Sequence, residues 1–225
     1  MFCVMANPRS GSTALSEAIC AATGLKQMAE PFNPESYRWD DTFTGFETVK
    51  EKFDKIKKSN VDFFKTVTYY KWDTVKDSEN LIRMCVGEFS TLFLIRSDFF
   101  SCTLSNIIAQ KTGGWNIKML PPEYKKVVSE LEIDEEYFIS QYEYTREMIL
   151  VYRKLLESNI NLFNRAVEHE CLFGEEIYEQ TFLQIEVVTG PLNRDDFRKE
   201  LARHKINGAE VLQSVRNYEE LKCCV

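Results

Sequence analysis

No stretch of this 225-residue chain approaches the roughly 18 consecutive apolar residues that a membrane span requires. The N-terminus has no basic segment ahead of an apolar one, so no signal peptide is expected and the protein is expected to be cytoplasmic. There is no excess of positive charge. Lys and Arg total 28 against 35 Asp and Glu, for a net charge of −7. General nucleic-acid or anionic-membrane partners call for basic patches, so neither is expected. Histidine is scarce, with two residues far apart, which gives a metal site little basis. Seven cysteines occur at 3, 20, 85, 102, 171, 223 and 224. None forms a CxxC pair and most fall in apolar runs, so reduced core thiols are expected. Cys223-Cys224-Val225 falls short of a prenylation box, because the required Cys would stand at 222, which is Lys; a frayed tail is expected. Repeats and low-complexity tracts are also lacking. The length suits one domain over 1–225 with a sizeable core.

What is present begins at once. Phe2-Cys3-Val4-Met5-Ala6 is an apolar run that leads into Asn7-Pro8-Arg9-Ser10-Gly11-Ser12-Thr13. Leu15, Ala18, Ile19 and Ala22 then recur at helical spacing, and Gly24 stands where the helix should stop. A buried strand, a small-residue loop and a helix N-terminus make an anion site, because backbone N–H groups converge there and the helix dipole favours negative charge. Arg9 adds a cation, and Ser10, Ser12 and Thr13 add hydroxyl donors. It is not a Walker loop, which places Lys directly after its second Gly. An ordinary serine-capped corner is the plainer alternative.

A second motif follows about ninety residues on. Ser90 to Ile95 is another apolar run, fit for a parallel strand buried on both faces. It ends in Arg96-Ser97-Asp98. A helical stretch with Ser101 and Ser105 near its start then leads to Gln110-Lys111-Thr112-Gly113-Gly114-Trp115. A guanidinium and a hydroxyl near a helix start suit a dianionic phosphate.

Together the two motifs resemble those of sulfotransferases that use the sulfuryl donor PAPS. PRSGST-x-L resembles their 5′-phosphosulfate loop, and the strand-Arg-x-Asp-helix-Ser pattern resembles their 3′-phosphate motif. The trehalose 2-sulfotransferase family and its relatives are the closest in pattern, over roughly residues 1–40 and 88–116. The resemblance implies a P-loop-like parallel α/β sheet flanked by helices. It also implies that Arg9, Ser10, Gly11, Ser12, Thr13, Arg96 and Ser105 bind PAPS or its product PAP. One departure stands out: Ser97 occupies the place of the second Arg in the family's Arg-Arg-Asp. Adjacent strand residues face opposite sides, so this offset turns Arg96 away unless a bulge or the strand end restores it. The chain also shows no membrane anchor and stem of the kind that secretory carbohydrate sulfotransferases carry.

The rest of the chain alternates strands with helices, which indicates a parallel α/β sheet. Residues 30–45 carry Pro31 and Pro34 and are expected to form an active-site loop. Helices are expected at 47–58, 73–88 (capped by Asp73), 98–110, 134–158, 174–189 and 194–203. Strands are expected at 61–70, 90–96 and 160–169. His169-Glu170-Cys171-Leu172-Phe173 resembles the Tyr-Glu-Asp-Leu strand end of sulfotransferases. Ligands of such sheets bind beyond the carboxyl ends of the strands, where Arg9, Lys65 and Arg96 fall.

Sulfuryl transfer calls for positioning, charge stabilisation at the leaving phosphate and a base for the acceptor hydroxyl. Arg9 is the expected partner of the leaving phosphate, as a cation that does not donate its proton. Cytosolic sulfotransferases carry a His base after Lys-Thr on the second strand, but Lys65-Thr66 is followed by Val67. No histidine lies near a motif assigned to chemistry. The trehalose family places a carboxylate after the first helix, in a Glu-aromatic-Phe sequence, and Glu30-Pro31-Phe32 falls there. Glu30 is therefore the candidate base, with Glu35 second. Trp115 is a candidate wall for the acceptor and Lys65 a candidate support for the sulfuryl oxygens. Val215-Arg216-Asn217-Tyr218 is a candidate closing segment. The expected acceptor is a hydroxyl of a carbohydrate or small polar metabolite. Two alternatives stand beside this: a P-loop nucleotide kinase or NTPase, and a non-catalytic PAP-binding module. Oligomeric state is not legible.

Overall fold

The apolar runs do become strands, and their burial explains why they read as continuous rather than alternating. In the computed structural model, which describes residues 1–32, 47–67, 75–114, 120, 122–158, 162, 164–174, 176–204 and 209–225, five strands form one parallel sheet. They are β1 Phe2–Ala6, β2 Gln27–Ala29, β3 Phe63–Val67, β4 Ser90–Ile95 and β5 Ala166–Glu168, in the order β2-β3-β1-β4-β5. The helices are α1 Ser12–Thr23, α2 Glu47–Lys58, α3 Val75–Glu88, α4 Phe99–Thr112, α5 Tyr124–Glu130, α6 Glu135–Glu157, α7 His169–Phe173, α8 Glu179–Thr189, α9 Arg194–Ala202, α10 Ala209–Gln213 and α11 Tyr218–Cys223. No helix among the described residues is long and apolar enough to cross a membrane.

Both faces of the sheet are covered. Phe2, Val4 and Ala6 of β1 pack with Ala14, Leu15 and Ile19 of α1 and with Phe182 and Phe197 of α8 and α9. Cys3 and Met5 point the other way, into a cluster with Phe53 of α2, Leu81 and Cys85 of α3, and Ile149 and Tyr152 of α6. A strand buried on both sides has no polar face to present, hence its unbroken apolar sequence. A third cluster joins Leu104, Ile107 and Ile108 of α4 to Tyr124, Val128, Phe138 and Leu212.

The strand order places the site. From β1 the chain runs through β2 and β3 on one side, then returns to β4 on the other. The order therefore reverses between β1 and β4, and in open parallel sheets that crevice is where ligands bind. Its two walls are the loop after β1 and the turn after β4.

Several boundaries differ from expectation. The strand expected over 160–169 is confined to Ala166–Glu168, because β5 is an edge strand paired only with β4, and the chain turns into α7 at His169. The helix expected from 174 begins at Glu179, after extended backbone at Gly174 and Tyr178. β2 was not anticipated: three residues at a sheet edge show no usable period. Of the three C-terminal residues expected to fray, Cys223 ends α11 and Cys224 caps it, while Leu221 earlier in that helix is buried among α4 and α5 side chains. Asp73, the expected cap of α3, lies outside the described residues. Gly24 does end α1, at φ +73° with its N–H donating to the Cys20 carbonyl. Asp134 caps α6, accepting from the Tyr137 N–H at 2.8 Å. All seven cysteines are free, with Cys3, Cys85 and Cys102 buried.

Gly11 shows how tightly the loop is packed. It sits at φ +88°, and a Cβ added there would lie 2.5 Å from Cε2 of Phe173. Gly11→Ala should therefore destabilise the fold by about 1–3 kcal/mol from overpacking alone, with the left-handed backbone adding to it. Thermal unfolding checks this. An unchanged melting temperature would mean that Phe173 yields at no cost.

Candidate functional site

Asn7, the first residue after β1, stitches the two walls together. Its Oδ1 accepts the backbone N–H of Arg96 at 2.9 Å. Ser10 turns inward, its hydroxyl donating to the Asn7 carbonyl at 2.7 Å. This closes the loop on itself and leaves Gly11, Ser12 and Thr13 at the helix start. Beneath the loop, the Cys102 thiol of α4 donates to the Pro8 carbonyl at 2.9 Å. Burial pushes that thiol up to about 11, only partly offset by Arg96 and Arg9 nearby, so it is a neutral donor rather than a nucleophile.

Two cations meet on this loop. Arg9 adopts φ +57°, and its Nε donates to the Ser105 Oγ at 3.2 Å, joining residues 96 positions apart. Arg96 is 9% exposed, and its Nη1 donates to the Arg9 carbonyl at 3.1 Å. The offset in the Arg96-Ser97-Asp98 motif therefore does not turn Arg96 away. β4 ends at Ile95, and Arg96 continues its alternation toward the loop side. The Arg96 Nε is buried without a hydrogen-bond partner among the described residues. A buried guanidinium N–H with no acceptor is costly in isolation, and an anion in the crevice would satisfy it. Asp98 caps α4, accepting from the Ser101 N–H at 2.9 Å, and thereby sets the first turns of the helix that carries Ser105.

A second polar cluster lies on the β3 side. Lys65 is the central residue of β3. Its Nζ donates to the Thr13 Oγ1 at 2.8 Å and pairs with Glu30 Oε1 at 2.8 Å. The side chains of Lys65 and Glu30 are 5% and 18% exposed, respectively. Glu30 follows β2 directly, at φ +37°. Phe32, two residues on, is buried edge-on against Phe53 and Phe64, which anchors the segment. Arg9 and Glu30 are the only non-glycine residues at positive φ among the described residues. Such backbone costs energy and clusters at functional sites. Val67, where a histidine base would stand, is buried and apolar.

Histidine is nearer the site than its sequence position suggested. His169 Nδ1 lies 2.7 Å from the Ser10 carbonyl, and its ring stacks on Phe173 at 4.5 Å between centroids. A carbonyl partner requires Nδ1 to carry the proton. The parallel pairing of β4 with β5 brings α7 to the loop. Phe173 also lines a cavity of about 670 Å³ with Leu172, Ile177, Arg198 and Leu201. The other histidine, His204, is remote from the loop motif: its Nε2 lies 3.1 Å from carboxylates of both Glu17 and Glu200. It clamps α1 to the end of α9.

Trp115 and Glu35 lie outside the described residues. The candidate closing segment packs on residues 131–133 and on α4. Arg216 N–H donates to the Leu131 carbonyl, Asn217 bonds both ways with Ile133, and Tyr218 meets Phe100 edge-on. No protein-family model matches the chain, and no curated protein matches it in sequence. The site is therefore read from its chemistry: two clusters of cations and hydroxyls lie at the carboxyl end of the sheet, one between β1 and β4 and one toward β3. One is built from Arg9, Arg96 and Ser105, the other from the α1 N-terminus with Thr13 and Lys65, and a carboxylate stands beside the second.

Proposed function

We propose that this protein is a PAPS-dependent sulfotransferase acting on a hydroxyl of a carbohydrate or small polar metabolite. The observation that carries the reading is the meeting of Arg9, Arg96 and Ser105 at the topological switch point, with an unsatisfied Arg96 Nε. Thr13 and Lys65 meet at the helix N-terminus and form a second cluster. Two such clusters suit a nucleotide with anionic groups on both its 3′ and 5′ positions.

When bound, PAPS supplies the sulfuryl group and a leaving 5′-phosphate. Arg96 and Ser105 hold the 3′-phosphate through charge-assisted hydrogen bonds. Gly11, Ser12 and Thr13 present backbone and hydroxyl donors to the 5′ side. Arg9 stabilises charge that builds on the leaving oxygen. Lys65 supplies a second cation at Thr13. Glu30 accepts the proton of the acceptor hydroxyl as its oxygen bonds to sulfur and the bridging oxygen–sulfur bond of the donor breaks. Lys65 keeps that carboxylate oriented.

One observation favours a second reading. Lys65 brings to Thr13 a buried cation of the kind a nucleotide kinase or NTPase carries in its loop. Thermal shift separates the two. PAP should raise the melting temperature more than ATP or ADP with magnesium. Equal stabilisation by ATP and PAP would overturn the sulfotransferase reading.

A further inference from the structure

Ser97 is where the chain departs from the Arg-Arg-Asp pattern, and it is held from three directions. Its hydroxyl donates to Glu168 Oε2 of β5 at 2.6 Å. The same hydroxyl accepts from Nη2 of Arg153 on α6, and Arg153 in turn pairs with Glu168 at 3.7 Å. Its backbone N–H donates to Glu170 Oε1 at 3.3 Å, and the next N–H, that of Asp98, reaches the same oxygen at 3.4 Å. Glu170 belongs to α7, which also bears on the loop through His169 and Phe173.

We infer that Ser97 is a positioning residue for Arg96, and through it for the 3′-phosphate subsite. This rests on the sulfotransferase reading above. The physical reason is the pleat. Successive residues of an extended chain project to opposite sides. Leu94 faces the α1 side and Ile95 the α6 side. Beyond β4 the strand pairing ends, and nothing in the ladder enforces the alternation. Tying the Ser97 side chain to Arg153 and Glu168, on the α6 side and the β5 edge, carries the alternation one residue further. Arg96 must then project to the loop side, where its Nη1 meets the Arg9 carbonyl. A side chain at 97 points away from the loop, and in this chain the Ser97 hydroxyl holds it there through Glu168 and Arg153. Ser97 touches no ligand in this arrangement. It acts by removing the other orientation of Arg96.

The test compares PAP with ADP, which lacks the 3′-phosphate, on the full chain by calorimetric titration. Ser97→Ala should weaken PAP binding about tenfold, the scale of one lost hydrogen bond to a charged group, and leave ADP binding unchanged. Ser97→Thr keeps the hydroxyl and should bind PAP like the parent. Wild-type PAP affinity retained in Ser97→Ala, or an equal loss for both nucleotides, would overturn the positioning role. So would failure of Ser97→Thr to restore PAP binding while its melting temperature matches the parent. A parent protein that does not distinguish PAP from ADP would instead remove the sulfotransferase reading, and this inference with it.

Discussion

Glu30→Gln is expected to lower turnover by about 10²–10⁴, the usual loss when a general base is removed, while PAP affinity stays within a few-fold. The substitution is nearly isosteric and keeps an amide oxygen for the Lys65 Nζ, which the carboxylate meets at 2.8 Å. It removes the charge, however, and with it the capacity to take a proton from an acceptor hydroxyl. A complication follows from the same contact. Lys65 is 5% exposed, and taking the charge from one member of a buried pair can cost about 3–5 kcal/mol. The melting temperature should therefore fall. Nucleotide binding separates the two effects, since a collapsed site would lose PAP and a deprived base would not. Labelled sulfate transfer to an identified acceptor is the assay. Normal turnover in Glu30→Gln with none in Glu35→Gln would move the base to Glu35. Normal turnover in both would end the case for a carboxylate base on this segment.

Removing the Arg9 side chain should have an effect of comparable size. Donors aimed at developing charge are worth about 10²–10³ in turnover, and Arg9→Ala should lose at least that. Arg9→Lys should keep part of the activity, since it retains the cation but loses the Nε that donates to Ser105. Arg9→Gly is the informative control. Arg9 stands at φ +57°, a conformation glycine adopts without strain. Arg9→Gly should therefore unfold no more readily than Arg9→Ala while being as inactive. Loss of activity with the fold intact places Arg9 in the chemistry. Full activity in either variant would remove the loop from the reaction centre.

Much of the scaffold was legible because it is encoded locally. Phe2–Ala6 and Ser90–Ile95 are apolar without interruption, and strands buried on both faces have no alternative pattern. The stop at Gly24 and the cap at Asp134 depend on a few adjacent residues. Elements with little local signal escaped. β2 has three residues, and α5 and α7 have seven and five. The abrupt end of β5 reflects an edge position that no residue within it announces.

The strand–turn–helix corner was determined by the sequence alone, because the apolar strand, the small-residue turn and the helix that follows are each written in adjacent residues. The residues suited to phosphate were nameable for the same reason: guanidinium, ammonium and hydroxyl chemistry is a property of the side chain. Which of them meet was decided only by the tertiary structure. The Arg9–Ser105 bond spans 96 positions and the Lys65–Thr13 bond 52. Both depend on β1 lying between β3 and β4. The direction of Arg96, ambiguous by one residue in a period of two, is seen only in the tertiary structure, where it meets Asn7 and the Arg9 carbonyl. His169 came to the Ser10 carbonyl through the pairing of two strands, a contact that the His169–Phe173 sequence does not itself announce. Side-chain chemistry is written residue by residue, but a site needs relative positions, and these follow from the register and order of the sheet.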